Sequence, residues 1–145
     1  MSTPLKMQKV AHALHNAGFS RTAQAISRVT RVIFATHLPP EAEIGEGTEL
    51  GYGGIGVIVH KEAVIGRNCL LSPGVVIGGR GGRPGAPVIE DDVAIGVGAK
   101  ILGPIRIGAG AKIGANAVVL DDVAPGDTVA GIPARSLHRV KRQIA

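Results

Sequence analysis

Five histidines, one tyrosine and one cysteine are the side chains of this sequence suited to acid–base or nucleophilic chemistry near neutral pH. His12 and His15 fall in an N-terminal stretch of helical character, His37 precedes Leu38-Pro39-Pro40, and His138 lies in a basic tail. His60 alone sits inside the patterned centre of the chain, in Val57-Ile58-Val59-His60-Lys61-Glu62, directly after a glycine-rich stretch that carries Tyr52. An imidazole with a carboxylate two residues away at Glu62 and a phenol on a glycine-flanked segment form a set able to take, hold and return a hydroxyl proton. Ser72-Pro73 has no Ser-His-Asp company and reads as a turn. Arg80 and Arg83, in the second glycine-rich stretch Gly78–Pro87, offer forks for an anion or simply a solvated loop.

The elements that position these residues follow from a repeat of six. An aliphatic recurs at Ile89, Ile95, Ile101, Ile107, Ile113 and Val119, and an earlier run keeps the beat through Val59, Ile65, Leu71 and Ile77, after Ile44 and Leu50. Four residues after each comes a smaller side chain: Thr48, Ala63, Cys69, Val75, Val93, Ala99, Ala111 or Ala117. Two inward residues per period, with the rest turning a corner, let three periods close a triangular coil of about 18 residues, and such coils stack as parallel strands. Helical spacing would scatter the same aliphatics around a cylinder, and 22 glycines would cost a helix about 1 kcal/mol each. Residues 41–130 then make roughly five coils. The beat fails twice: Leu50 to Val59 spans nine residues around Gly51–Gly56, and Gly78–Pro87 lacks any inward aliphatic. Both read as excursions from the coil that serve something other than packing.

Before the coils, apolar residues at Val10 and Leu14 and at Ile26, Val29 and Ile33 predict two short helices over 5–17 and 21–34. Gly18 serves as C-terminal stop, Ser20 as N-cap, and Leu38-Pro39-Pro40 ends the second helix. Three segments follow: 1–38 helical, 39–130 coiled, and 131–145 a loop and basic tail. Of 145 residues, only 2% are aromatic, which leaves no base-stacking platform. The net charge of +5 belongs to the two ends, since residues 36–130 hold seven basic and eleven acidic side chains. Nucleic-acid binding is therefore not expected. Neither is a membrane span or a secretory signal, and a cytoplasmic setting is expected.

The run IGVGAKILGPIRIGAGAKIGANAVVLDDV followed by GIPAR resembles the C-terminal half of the serine acetyltransferases, within the hexapeptide-repeat acyltransferase superfamily. The likeness covers about residues 39–137. With the two helices included, it is nearest to short serine-acetyltransferase-like proteins, some linked to polysaccharide biosynthesis. It implies a left-handed parallel β-helix, a homotrimer, and acetyl-CoA held between subunits with no metal. By the same resemblance Gly79, Val97 and Ala115 fall where backbone groups meet the CoA arm, and Arg135 and Lys141 where side chains would face its phosphates.

The catalytic motifs depart from that pattern. The family's Asp-His pair is replaced by Gly51-Tyr52 or Tyr52-Gly53, and its Arg-His-Pro by Gly85-Ala86-Pro87. His60 is therefore the candidate general base, with Glu62 as orienter and Tyr52 as hydroxyl ligand or alternative proton carrier. The acceptor is open between serine and a sugar or amino sugar. A catalytically degenerate trimeric scaffold is the alternative outside enzymology. A zinc enzyme on the same coil needs three histidines from neighbouring copies, and only His37 and His60 lie near the coils.

Overall fold

In the computed structural model, which describes residues 1–138, two helices precede a three-sided parallel β-helix. Helix α1 (Thr3–Asn16) ends with Gly18 at φ +90°. The Phe19 amide still reaches back to the Leu14 carbonyl (2.8 Å), so Phe19 occupies the N-cap place of α2 (Ser20–Phe34). Ser20, expected as the cap, is already helical and makes no capping bond. Helix α2 stops at Phe34 because Ala35 turns left-handed (φ +51°), ahead of the two prolines expected to stop it.

The helices bury a different side from the one their apolar spacing predicts. Val10, Val29 and Ile33 are exposed, while Leu5, Gln8 and Ala11 of α1 and Ala23, Ser27 and Thr30 of α2 face inward. The reason lies in what they pack against, which is the other helix, where Thr30 Oγ1 of α2 meets Met7 Sδ of α1 (3.7 Å), and the polar backbone of the linker. Gln8 Nε2 donates to the Ala42 carbonyl (3.0 Å), and Ser27 Oγ donates to that of Leu38 (2.9 Å). Only Leu5, with Leu38 and Ala42, joins the core at the open end of the coil.

Three short strands make each coil. The first holds β1 (Glu43–Ile44), β2 (Glu49–Leu50) and β3 (Ile58–Val59), and the second β4 (Val64–Ile65), β5 (Leu70–Leu71) and β6 (Val76–Gly78). The third holds β7 (Val88–Ile89), β8 (Ala94–Ile95) and β9 (Lys100–Leu102), and the fourth β10 (Arg106–Ile107), β11 (Lys112–Ile113) and β12 (Val118–Val119). Strand β13 (Thr128–Ala130) begins a fifth coil, and β14 (Arg135–Ser136) folds back antiparallel on it. Face 1 is thus β1-β4-β7-β10, face 2 is β2-β5-β8-β11-β13-β14, and face 3 is β3-β6-β9-β12. Four coils are complete and a fifth is partial, close to the expected five. No helix among the described residues is long and apolar enough to cross a membrane.

Register confirms both excursions. Ile89 pairs with Ile107, eighteen positions on, whereas Leu50 pairs with Leu71, twenty-one on, and Ile77 with Ile101, twenty-four on. The aliphatics of the repeat stack along the axis, with Ile65, Leu71, Ile77, Ile95 and Ile101 at most 2% exposed. The small residues fill the corners, and Cys69 is one of them, buried and with its thiol donating to the Glu90 carbonyl.

The residue after each axial aliphatic explains the glycines. Where face 1 meets face 2 it is Gly45, Gly66, Glu90 or Gly108, and where face 2 meets face 3 it is Gly51, Ser72, Gly96 or Gly114. At Gly66 a Cβ would sit 2.7 Å from the Asp91 amide nitrogen and the Glu90 carbonyl carbon of the next coil. Close approach, not a positive φ, demands glycine there. Where face 3 returns to face 1 the same column reads His60, Gly78, Leu102, Leu120, so this edge carries large side chains in three coils, against Glu90 alone at the other two edges.

Candidate active site

The chemistry-bearing residues divide between two edges of the prism, with face 3 between them. On the edge from face 2 to face 3, the insertion Gly51–Gly54 is a kinked turn in which Tyr52 (φ +49°) and Gly53 (φ +74°) are left-handed and Tyr52 stands 88% exposed. Above it Ile55, Pro73 and Val97 each accept a backbone hydrogen bond from the coil above, at 2.8–2.9 Å, and Ala115 takes the same place in the fourth coil. Val97 and Ala115 thus lie in one exposed column, one coil apart.

On the other edge, after β3, stands His60. Gly79 begins the second excursion one coil above, and a Cβ placed on it would come within 3.8 Å of His60 Nε2. The excursion is closed by an antiparallel bridge between Arg80 and Arg83, both exposed. His60, Glu62 and Gly79 therefore share one edge, while Tyr52, Val97 and Ala115 share the other. The insertion does not fold back to set Tyr52 beside His60 within one chain, because β3 runs between them.

Locally, the backbone amide of Glu62 donates to His60 Nδ1 at 3.2 Å. Orientation thus comes from the Glu62 backbone, and its exposed carboxylate makes no hydrogen bond to the ring. With Nδ1 an acceptor, the neutral imidazole carries its proton on Nε2, the nitrogen beside Gly79.

A cavity of about 650 Å³ opens between α2 and this edge, with His60 and His37 in its lining beside Arg28, Arg31, Glu41 and Lys61. His37 continues face 3 below β3, pairing with Ile58. Burial and then the Arg31 guanidinium push the His37 pKa below its ordinary value, with Glu41 opposing. Among the described residues Arg67, Arg106 and Arg135 each reach a carboxylate within 4.0 Å, whereas Arg28, Arg31 and Lys61 reach none. Sequence reading missed the part played by α2. The signal was present: Gln24, Ser27, Arg28 and Arg31 recur at helical spacing as a polar stripe.

Arg135 lies on β14, exposed, with one guanidinium nitrogen 2.9 Å from the Ala134 carbonyl oxygen and 3.7 Å from Asp121 Oδ2. It lines a second cavity with Asp121, Asp122 and Asp127, so its surroundings are acidic. Lys141 lies outside the described residues. Among those described, no three His, Cys, Asp or Glu side chains gather as metal ligands would.

The bacterial transferase hexapeptide family (six repeats) matches residues 86–121. A serine acetyltransferase of Bacillus licheniformis is 43% identical over 129 residues, covering 88% of this chain and 59% of that protein. One from Helicobacter pylori strain 26695 is 39% identical and covers 90% of this chain and 77% of that protein. Among solved structures, the Brucella abortus serine acetyltransferase in complex with coenzyme A superposes with a TM-score of 0.88 at 38% identity, over 92% of this chain and 54% of that one. Soybean serine acetyltransferase complexed with serine gives 0.88 at 41%, over 92% and 56%. The chain spans little more than half the length of most of these proteins. The shared fold and 39% identity to a protein of which it spans 77% settle the relationship: the chain belongs to the serine acetyltransferase family.

Proposed function

We propose that this chain is an acetyl-CoA-dependent O-acetyltransferase whose site forms between copies of a homotrimer. One observation carries the reading: the candidate residues split between the two edges that flank face 3. A threefold ring of prisms sets one edge of each copy against the other edge of its neighbour, a closed head-to-tail interface. His60 and Gly79 of one copy then meet Tyr52, Val97 and Ala115 of the next, making one cleft per interface. The complexes of relatives with coenzyme A and with serine support the donor and the small hydroxyl acceptor. The intact backbone columns at Gly79, Val97 and Ala115 support the former within this chain. A single free, buried cysteine suits the cytoplasm.

In the reaction the acceptor hydroxyl oxygen attacks the thioester carbonyl carbon, the carbon–sulfur bond breaks, and the hydroxyl proton ends on the departing CoA sulfur. His60 carries that proton between the two. In the observed state its free nitrogen already bears a proton, so the ring first releases the Glu62 amide and turns. That motion gives up one exposed hydrogen bond, about 1 kcal/mol. General-base assistance contributes roughly 10²–10⁴ in rate, so the exchange is favourable on balance. Tyr52, on the neighbouring edge, supplies a hydroxyl contact to the acceptor or an alternative proton path.

The test is CoA thiol release from acetyl-CoA against L-serine, amino sugars and nucleotide sugars, with His60→Ala alongside. Release with one acceptor, falling at least 10²-fold in the variant while CoA binding is kept, is the expected result. Normal turnover in His60→Ala removes the histidine from the mechanism. No release with any acceptor, from a trimer that binds CoA, would favour a non-catalytic scaffold instead.

A further inference from the structure

We propose that the cavity between α2 and the His60 edge holds the anionic group of a phosphorylated sugar or polyol, and that this class of compound, larger than serine, is the acceptor. The inference rests on the acetyltransferase reading above and deepens it.

Three observations converge. The cavity, about 650 Å³, is in the range of sites that take drug-sized ligands, and a free amino acid as small as serine would leave most of it filled with water. Its charges are one-sided, with Arg28, Arg31 and Lys61 against the single carboxylate of Glu41. The three cations reach no carboxylate within 4.0 Å among the described residues, although the coil supplies partners to Arg67, Arg106 and Arg135. A guanidinium left without a carboxylate on a cavity wall keeps its donors for a ligand, and its planar fork matches a phosphate.

Placement supplies the link to chemistry. Arg28 and Arg31 stand one turn apart on the same side of α2, and His60 Nε2 lies next to Gly79 on the opposite side of the cavity. Exposed Ile58 also lines the cavity, apolar surface suited to the carbon skeleton of the ligand. A phosphate held by α2 would leave a hydroxyl several bonds away free to reach the imidazole. Serine carries a carboxylate too, but it would fill only a small part of such a cavity.

The experiment is calorimetric titration of the full chain, at fixed low ionic strength, with glucose 1-phosphate, UDP-glucose, inorganic phosphate, glucose and L-serine. The wild type is compared with Arg28→Gln/Arg31→Gln and with His60→Ala. Glutamine keeps helix propensity close to that of arginine, and circular dichroism checks that α2 persists. The expected result is binding of glucose 1-phosphate or UDP-glucose tighter than of inorganic phosphate, no binding of glucose, and roughly 10- to 100-fold weaker binding in the double variant. Tighter binding of the sugar monophosphate or of the nucleotide sugar identifies which phosphate source the cavity fits. Equal affinity for glucose and glucose 1-phosphate, no binding of any phosphate-bearing probe, or unchanged affinity in a folded double variant overturns the proposal. If His60→Ala keeps both phosphate affinity and acetyl transfer, the anion site stands and the base assignment alone falls.

Discussion

Replacing Gly66 by alanine tests the idea that backbone contact between coils, rather than turn conformation, demands the repeat's glycines. A Cβ at this position would lie 2.7 Å from two backbone atoms of the next coil, the Asp91 nitrogen and the Glu90 carbon. Backbone atoms cannot swing aside as a side-chain tip can, so coils two and three must part by several tenths of an ångström at this corner. Three bonds span that gap: Gly66 amide to Ile89 carbonyl (2.8 Å), Arg67 amide to Asp91 Oδ1 (2.7 Å) and Asp92 amide to Arg67 carbonyl (2.8 Å). Overpacking costs about 1–3 kcal/mol, and weakening one or two of these bonds adds about 1. Gly66→Ala is therefore expected to lose about 2–4 kcal/mol, measured by urea unfolding at fixed protein concentration so that assembly does not shift the midpoint. The control is Gly81→Ala, where an added Cβ meets nothing within 4 Å and φ lies outside the left-handed region. That change should stay within about 0.5 kcal/mol. Equal stability of the two variants would refute the close-contact account.

The titrating groups predict a stability plateau with two acid steps and one alkaline step. His37 has a folded pKa below its ordinary 6.5, through burial and then Arg31. The native state therefore binds fewer protons than the unfolded chain, and this stability, complete above about pH 6.5, is lost as pH falls through the folded value. Thermal scans from pH 7 to 5 should show the loss in the wild type and not in His37→Gln. Glu90 is lowered from 4.5, first by the Ala109 amide and then by Arg106, so its contribution is present above about pH 4.5 and disappears in stronger acid. Glu90→Gln should flatten that lower step. Cys69 has the opposite sign: burial raises its pKa above 9.0, and the stability it contributes declines as pH climbs past that value. Its thiol should react with an aromatic disulfide reagent only at the rate of unfolding, and prompt reaction in the native protein would contradict its placement.

The axis of the coil was legible because burial repeats every six residues, and both excursions were legible because register is counted in the same units. Where the helices would turn their faces was not. Ile33 and Val29 look like core, but the surface that α2 meets is α1 and the Leu38 carbonyl of the linker, which Ser27 can satisfy and an aliphatic cannot. That preference belongs to residues 36–42, not to the helix, so helical spacing alone misreads it. The edge that carries His60 was written in the sequence more plainly than the pattern of types suggested. At the other two edges the position after the axial aliphatic is glycine or serine in seven of eight coil corners, and at this edge it is histidine, glycine, leucine and leucine. Grouping Tyr52 with His60 as one set within the chain was a misreading, since the order insertion, strand, histidine puts a whole side of the triangle between them. What no single chain can encode visibly is which edge its neighbour presents.

A mixing experiment reaches that last point. If each site takes His60 from one copy and Ala115 from the next, a His60→Ala chain and an Ala115→Trp chain fail for reasons located on different edges. Each variant alone should be nearly inactive, the first for want of the imidazole, the second because the indole fills the column where the donor's arm would run. Denatured together in equal amounts and refolded, the chains distribute at random through the trimers. A given cleft is intact when the copy supplying its His60 edge is the Ala115→Trp chain and the neighbour is the His60→Ala chain. Each condition holds for half the copies, so about a quarter of the clefts regain both parts in a closed ring. Thiol release should recover to about a quarter of the wild-type rate at equal trimer concentration, while the separately refolded variants mixed afterwards stay inactive. Were the site contained within one chain, no mixture could rebuild it and co-refolding would recover nothing, which makes the return of activity a direct measure of where the two edges meet.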